Sequence, residues 1–365
     1  MNGQAEKARH EWDFTLSKLI TSTSRASNTS DTLGAVELDP SNRLLATGGI
    51  ARKIRIYNLT NNDALSADHA DICICVPAKL SSLCWRPEPG SRVGRVVCAG
   101  DYDGVVTEYD VERSTPLSER DEHGGRRVWS VDYSRAQHQH PLGASGSDDG
   151  TAHVWDARSS SEGLKIKRGS PVCCVEFDPA GSGLIALGCA NQKAYVYDVR
   201  RVGEPVTVFD GHRKTVTYVR FLGEGRMVSA GIDGCLKQWE VVGSGEGGVG
   251  RVVRTYEGHV NERRFVGLSV WREGGLMGCG SESGEVFVYD LRWGEPIWIG
   301  AFSGGGGGDG QFVSGVCLRG GGGGGVGMEE VVGEKCTLVA GGSDGDLMIF
   351  VGDRKMSSSL GFGDC

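Results

Sequence analysis

Apolar residues recur at every second position in short runs along this chain, and Gly, Asp, Asn or Pro bounds most runs. VWSVDYS (Val128–Ser134), LGASGS (Leu142–Ser147) and AHVWDA (Ala152–Ala157) follow one another in this way, with a fourth run at Leu164–Lys167. A period of two turns alternate side chains to opposite faces, which predicts β-strands joined by tight turns. Comparable first strands are LGAVELD (Leu33–Asp39), SSLCW (Ser81–Trp85), VCCVEFD (Val172–Asp178), TVTYVRF (Thr215–Phe221), FVGLSVW (Phe265–Trp271) and FVSGVCL (Phe312–Leu318).

The third strand of each set carries a shared phrase: a small-residue Gly/Asp turn, a β-branched run and an aromatic–acidic pair. It reads SDDGTAHVWDAR at Ser147–Arg158, CANQKAYVYDVR at Cys189–Arg200 and SESGEVFVYDLR at Ser281–Arg292. Weaker copies begin at Gly49, Gly100, Gly231 and Gly342, so seven copies lie 42 to 61 residues apart. A period near 40–45 residues is that of a four-stranded blade, with strands a to d running from the centre outward. The expected fold is all-β: a seven-bladed β-propeller over residues 12–353, with a leader at 1–11 and a tail at 354–365. The last set stops after its c strand, LMIFV (Leu347–Val351), which leaves a blade edge open. WDFTLSKLI (Trp12–Ile20) alternates and can supply the missing outer strand; the alternative is a short amphipathic helix. Closure of the ring by this N-terminal strand is the reading adopted here, and its deletion is expected to harm the whole disc.

Charge and cysteine usage narrow the function. The net charge of −8 lacks the basic excess of a phosphate-backbone binder, so no nucleic acid is expected. No apolar run is long enough for a bilayer, and none resembles a signal peptide, so no membrane is expected either. Most of the twelve cysteines fall in predicted strands, where they act as small apolar residues in a reducing compartment. Cys73, Cys75 and Cys84 come closest to a metal cluster but lack a second spaced pair or a nearby His, so no metal or cofactor is expected. The glycine tracts Gly304–Gly310 and Gly320–Gly325 read as loop insertions rather than phosphate cradles. His123, His212 and His259 each precede an a strand. Repeats disperse such residues, and a corner role is favoured over catalysis, in which His212 would tie turn residue Asp233 to Trp239. An enzyme is not expected.

Strand alternation sends the d–a and b–c turns to one face and the other turns to the opposite face. The first face collects Lys79, Tyr102, Arg127, Trp129, Lys214 and Phe265 around the channel mouth. Three aromatics and three cations on an acidic protein suit an extended peptide with an apolar anchor and acidic flanks. The alternative is that Trp129 and Phe265 plug the channel and the cations are merely solvated. The opposite face carries three aromatic–Asp-x-Arg boxes, built on Trp155, Asp156 and Arg158, on Asp198 and Arg200, and on Asp290 and Arg292. Their guanidinium groups can fork onto an acidic partner or pair locally.

AKLSSLCW, GDYDGVVTEYDV, RRVWSVDYSR, SGSDDG, GHRKTVTYVRFL and GHVNERRFVGL carry a resemblance that covers nearly the whole chain. They resemble the WD-repeat propeller of the plant constitutive-photomorphogenesis ubiquitin ligase and of the suppressor-of-phytochrome proteins. With the short leader EWDFTLSKLI and no RING or coiled coil, the chain is most similar to the repressor of UV-B photomorphogenesis family. The resemblance implies that Lys79, Tyr102, Arg127, Trp129, Lys214 and Phe265 hold Val-Pro peptides. It implies as partners the UV-B photoreceptor, through its core and Val-Pro tail, Val-Pro-containing transcription regulators and the photomorphogenesis ligase itself. The Asp-x-Arg boxes would be docking points for a cullin–RING ligase adaptor, of which only Trp155–Arg158 has the full Trp-Asp-x-Arg form. The implied activity is non-catalytic repression of UV-B signalling in nucleus and cytoplasm, by favouring photoreceptor redimerisation and displacing the ligase.

Overall fold

A computed structural model describes residues 11–22, 30–60, 70–88, 90–91, 93–135, 141–156, 163–242, 247–301, 311–321 and 335–355. Arg158, residues 1–10, the tail from 356 onward and the tract Gly304–Gly310 lie outside them. The described residues contain 28 strands, grouped by fours into antiparallel blades. The innermost strands are β2 (Leu33–Leu38), β6 (Leu80–Trp85), β10 (Val128–Tyr133), β14 (Val172–Phe177), β18 (Val216–Gly223), β22 (Leu268–Trp271) and β26 (Val313–Gly320). Each of these touches the next, and β26 touches β2, so the seven blades close a ring. In blade three, β11 (Leu142–Ser147), β12 (Thr151–Asp156) and β13 (Leu164–Lys167) follow β10 outward in chain order.

The expected closure is present. β1 (Trp12–Ile20) pairs antiparallel with β28 (Leu347–Arg354) from Trp12 opposite Arg354 to Ile20 opposite Leu347, and forms the outer strand of blade seven. Trp12 and Phe14 point inward and are buried, whereas Leu16 is exposed beside a bulge between Leu16 and Lys18. Trp12 meets Trp271 of blade six edge-on at 5.6 Å, and Phe14 meets Trp298 at 5.0 Å. One buried cluster therefore joins the chain's first strand to blades six and seven. A helix at Trp12–Ile20 would leave the β28 edge unpaired.

Two features depart from the simplest repeat. The outer strands of blades four and five, β17 (Thr207–Asp210) and β21 (Gly248–Tyr256), pair in parallel at Thr207–Gly248 and Val208–Val249, fusing two blades into one eight-stranded sheet. The approach requires glycine, because a Cβ on Gly250 would lie 2.0 Å from the Phe209 ring. The second departure is β22, which begins at Leu268 instead of Phe265. Gly267 is left-handed at φ +74 and sits against the backbone of Val316, so the chain turns there before it extends. Phe265 is thereby a loop residue.

The histidines tie corners as expected, with serines as relays. His212 Nδ1 lies 3.0 Å from Asp233, and its Nε2 lies 2.7 Å from Ser229 Oγ. The Trp239 indole N–H donates to the same hydroxyl at 2.7 Å. In blade six the acid is missing, and His259 Nδ1 meets the Tyr289 hydroxyl at 3.0 Å.

Two outcomes follow from this packing. Trp12→Ala removes a buried indole shared by two blades, so urea denaturation should show a loss of about 3–5 kcal/mol. A loss of only a few tenths would mean that closure contributes little. Burial draws both His153 and His259 down from 6.5 to about 4. The unfolded chain then binds more protons than the folded one between those values, so stability is full above pH 6.5 and falls as pH drops toward 4. Each histidine should contribute about 1–2 kcal/mol of that loss at pH 5, read as lower urea midpoints at pH 5 than at pH 7.

Candidate peptide-binding mouth

The d–a and b–c turns meet on one face, as strand alternation dictates. In blade three the Asp148 N–H donates to the Arg127 carbonyl at 3.0 Å, and in blade five the Ile232 N–H donates to the Thr215 carbonyl at 3.1 Å. In blade two the Tyr102 N–H donates to the Lys79 carbonyl at 2.9 Å. Lys79 and Lys214 occupy such loops with exposed side chains, while Tyr102, Arg127, Trp129 and Phe265 are half-buried.

Four of the six expected residues are in direct contact. The Trp129 and Phe265 rings, from blades three and six, stack 4.3 Å apart at an interplanar angle of 10°. Arg127 lies between two rings, with its guanidinium carbon 3.6 Å from the Tyr102 centroid and 3.5 Å from that of Trp129. The rings attract the cation through their negative faces. Burial draws the Arg127 pKa down from its ordinary value, against the opposing pull of Tyr102 and Asp148. Its Nε is buried and has no hydrogen-bond partner among the described residues, which leaves an N–H in the mouth to be satisfied. Because Trp129 and Phe265 stack on each other, a ligand meets their outer surfaces; it does not enter a gap between them.

Three residues outside the expected set hold this arrangement. Asp148 accepts the Trp129 indole N–H at 2.6 Å. Glu282 accepts the N–H groups of Glu262, Arg263 and Arg264 at 2.9, 2.7 and 2.8 Å, fixing the loop that delivers Phe265. Burial acts to raise the Glu282 pKa, but those three donors bring it below its usual value. Tyr218 packs edge-on against Phe265 at 6.0 Å. Asp148 and Glu282 share the second position of the repeat phrase, SDDG and SESG, so a signal for them was present in the turn.

Beneath the stack runs a channel cavity of about 150 Å³ whose lining passes from Trp129 and Tyr218 to a ring of charges. Asp132 accepts the Phe177 N–H at 2.7 Å, and Arg272 reaches Glu176 at 2.9 Å and the Phe221 carbonyl at 2.6 Å. Burial, then the charge of Glu176, pushes Asp132 up to about 6. These bonds join β10 to β14 and the residue after β22 to β14 and β18.

The comparisons agree with the repeat. The family described as WD domain, G-beta repeat matches residues 114–156 and 203–240. WD repeat-containing protein RUP2 of Arabidopsis thaliana is 54% identical over 347 residues, covering 89% of this chain and 89% of the relative. WD repeat-containing protein RUP1 of the same plant is 53% identical over 354 residues, covering 95% of this chain and 86% of the relative. The chain belongs to the RUP family of WD-repeat proteins. E3 ubiquitin-protein ligase COP1 of Arabidopsis thaliana is 34% identical over 267 residues, which cover 73% of this chain and 37% of the ligase. The RUP-type chain thus corresponds to about a third of that ligase.

On the opposite face of this RUP-family propeller two of the Asp-x-Arg boxes are folded on themselves. Arg200 forks onto Asp198 through Nε at 2.8 Å and Nη2 at 2.6 Å. Arg292 does the same to Asp290 at 2.9 and 2.6 Å and also reaches Glu11 at 3.0 Å. Trp155 is buried and Asp156 half-buried at the end of β12, while Arg158 lies outside the described residues. The local pairing considered from sequence is therefore the one present in both described arginines. Cys73 and Cys75 are exposed, whereas Cys84 is half-buried in the channel wall.

The stack itself is measurable. A double-mutant cycle on Trp129→Ala and Phe265→Ala should give a coupling of about 0.5–1.5 kcal/mol in urea denaturation. A coupling of zero would mean that the two rings do not support one another.

Proposed function

We propose that this chain is a non-catalytic repressor of UV-B signalling that docks the Val-Pro tail of the UV-B photoreceptor on its mouth. The observation that carries the reading is the Trp129–Phe265 stack with Arg127 clamped beside it, half-exposed between the exposed Lys79 and Lys214. Proline brings a rigid ring without an N–H, so its burial on the aromatic surface leaves no donor stranded and orders little chain. Lys79 and Lys214 steer acidic flanks toward the anchor.

Membership of the RUP family and the partial match to the ligase support the same pathway and a protein-interaction role. On this reading the chain also contacts the photoreceptor core, favours redimerisation of the photoreceptor and competes with the photomorphogenesis ligase in nucleus and cytoplasm. Competition would follow from a similar mouth on the part of the ligase that this chain matches. Val-Pro transcription regulators would occupy the same mouth. Docking of a cullin–RING adaptor through Arg200 and Arg292 is not favoured, because both guanidinium forks already engage their own aspartates.

Calorimetry with an acidic Val-Pro peptide tests the proposal. Trp129→Ala should weaken binding by about 30-fold or more, as for a central anchor. Lys214→Ala should weaken it less, and more so at low salt than at high salt. Unchanged affinity in Trp129→Ala would remove the mouth as the docking site.

A further inference from the structure

Blade three holds a second cluster that the mouth does not use. His123 from the d–a loop, Asp149 from the b–c turn and His153 from β12 each offer one ligand atom, and these atoms lie within 4.8 Å of one another. His123 Nδ1 is 3.1 Å from Asp149, its Nε2 is 2.8 Å from Ser145 Oγ, and its ring centroid is 4.6 Å from that of His153. The first two contacts repeat the corner of blade five. The third does not. His153 lies opposite Ser145, at the register where Lys237 faces Ser229 in blade five. The corner therefore forms without an imidazole at that place.

His153 is 8% exposed, and its Nε2 is buried with no hydrogen-bond partner among the described residues. Leaving such a group unsatisfied costs about 1–3 kcal/mol, so its retention asks for a ligand.

We infer that His123, Asp149 and His153 bind one divalent transition-metal ion, with zinc as the cellular occupant and a water completing the set. Two imidazoles and a carboxylate form a borderline donor set of the kind zinc accepts. Glu122 favours a cation here, whereas Lys165, opposite His153 on β13, opposes it. Thr151 holds the Asp149 carboxylate through its N–H and its hydroxyl, both at 2.8 Å. Ser145 can accept from His123 Nε2–H, which fixes the tautomer that frees Nδ1 for the metal. Zinc–nitrogen bonds of about 2.0–2.1 Å put tetrahedral ligand atoms about 3.3 Å apart. The His123–Asp149 pair, at 3.1 Å, already has nearly that spacing, and His153 offers its ligand atom within 4.8 Å of both. Where Nδ1 carries the His123 proton toward Asp149, metal binding moves that proton to Nε2 facing Ser145, so the neutral ring keeps its single N–H and releases none.

Full-length chain stripped with a chelator and titrated with Co²⁺, then Zn²⁺, tests this. The expected result is one equivalent bound, with visible bands of a nitrogen–oxygen ligand set, no thiolate charge-transfer band, and displacement of Co²⁺ by Zn²⁺. His153→Gln should lower affinity at least tenfold while unfolding in chelator at the wild-type temperature. The Cys73→Ser/Cys75→Ser variant should bind as wild type. Absence of stoichiometric binding, an unchanged affinity in His153→Gln, or a thiolate band that disappears in the cysteine variant overturns the proposal. The wild-type cobalt spectrum decides between the ligand sets even if a variant fails to fold.

Discussion

Everything on the mouth depends on the pairing of β1 with β28. A propeller blade is stable only when both faces are covered, and the first and last a strands stand side by side only if the ring closes. The N-terminal strand completes blade seven and packs Trp12 against Trp271, so the first and last segments are locked into one sheet. Closure sets the diameter of the channel, and that diameter brings Trp129 of blade three within stacking distance of Phe265 of blade six. The aromatic cluster at the mouth is thus a consequence of ring geometry rather than of any local motif.

The two ends of the channel use charge differently. At the mouth, Arg127 is held by aromatic faces, and Lys79 and Lys214 are exposed to solvent. Deeper in, Asp132 and Arg272 bond to backbone groups on neighbouring strands and Arg272 to Glu176, while Arg220 donates to the Cys174 thiol and to the Val219 carbonyl of its own strand. Buried charges of this kind persist because they are bonded, and removing one partner strands the other. The same contrast separates Lys214 from Arg200 and Arg292, whose forks are already filled. A cation is informative about binding only after its local partners are counted.

Blade three concentrates the unusual chemistry. It supplies Arg127 and Trp129 to the mouth, and its b–c turn offers Asp148 to the Trp129 indole and Asp149 to His123. Adjacent carboxylates on one turn therefore serve the mouth and the histidine cluster. In blade six the corresponding turn has no such acid for His259 and uses Glu282 to hold the Phe265 loop. Degeneracy of the repeat is what lets each corner take a different role.

Strand positions, the seven-fold repeat and the closing role of Trp12–Ile20 were legible in the sequence because each rests on local periodicity and on the need to cover an edge. That Tyr102, Arg127, Trp129 and Phe265 belong to one face was legible too, since strand alternation fixes which turns share a side. The contacts among them were not. That Trp129 and Phe265 stack on each other, that Arg127 lies between two rings and that Gly267 delays β22 depend on distances across the ring, which no window of the chain encodes. His153 reads in sequence as one more strand residue; only packing shows its nitrogen to be buried without a partner. Local pattern determined the parts and their faces, and closure of the ring decided which side chains meet.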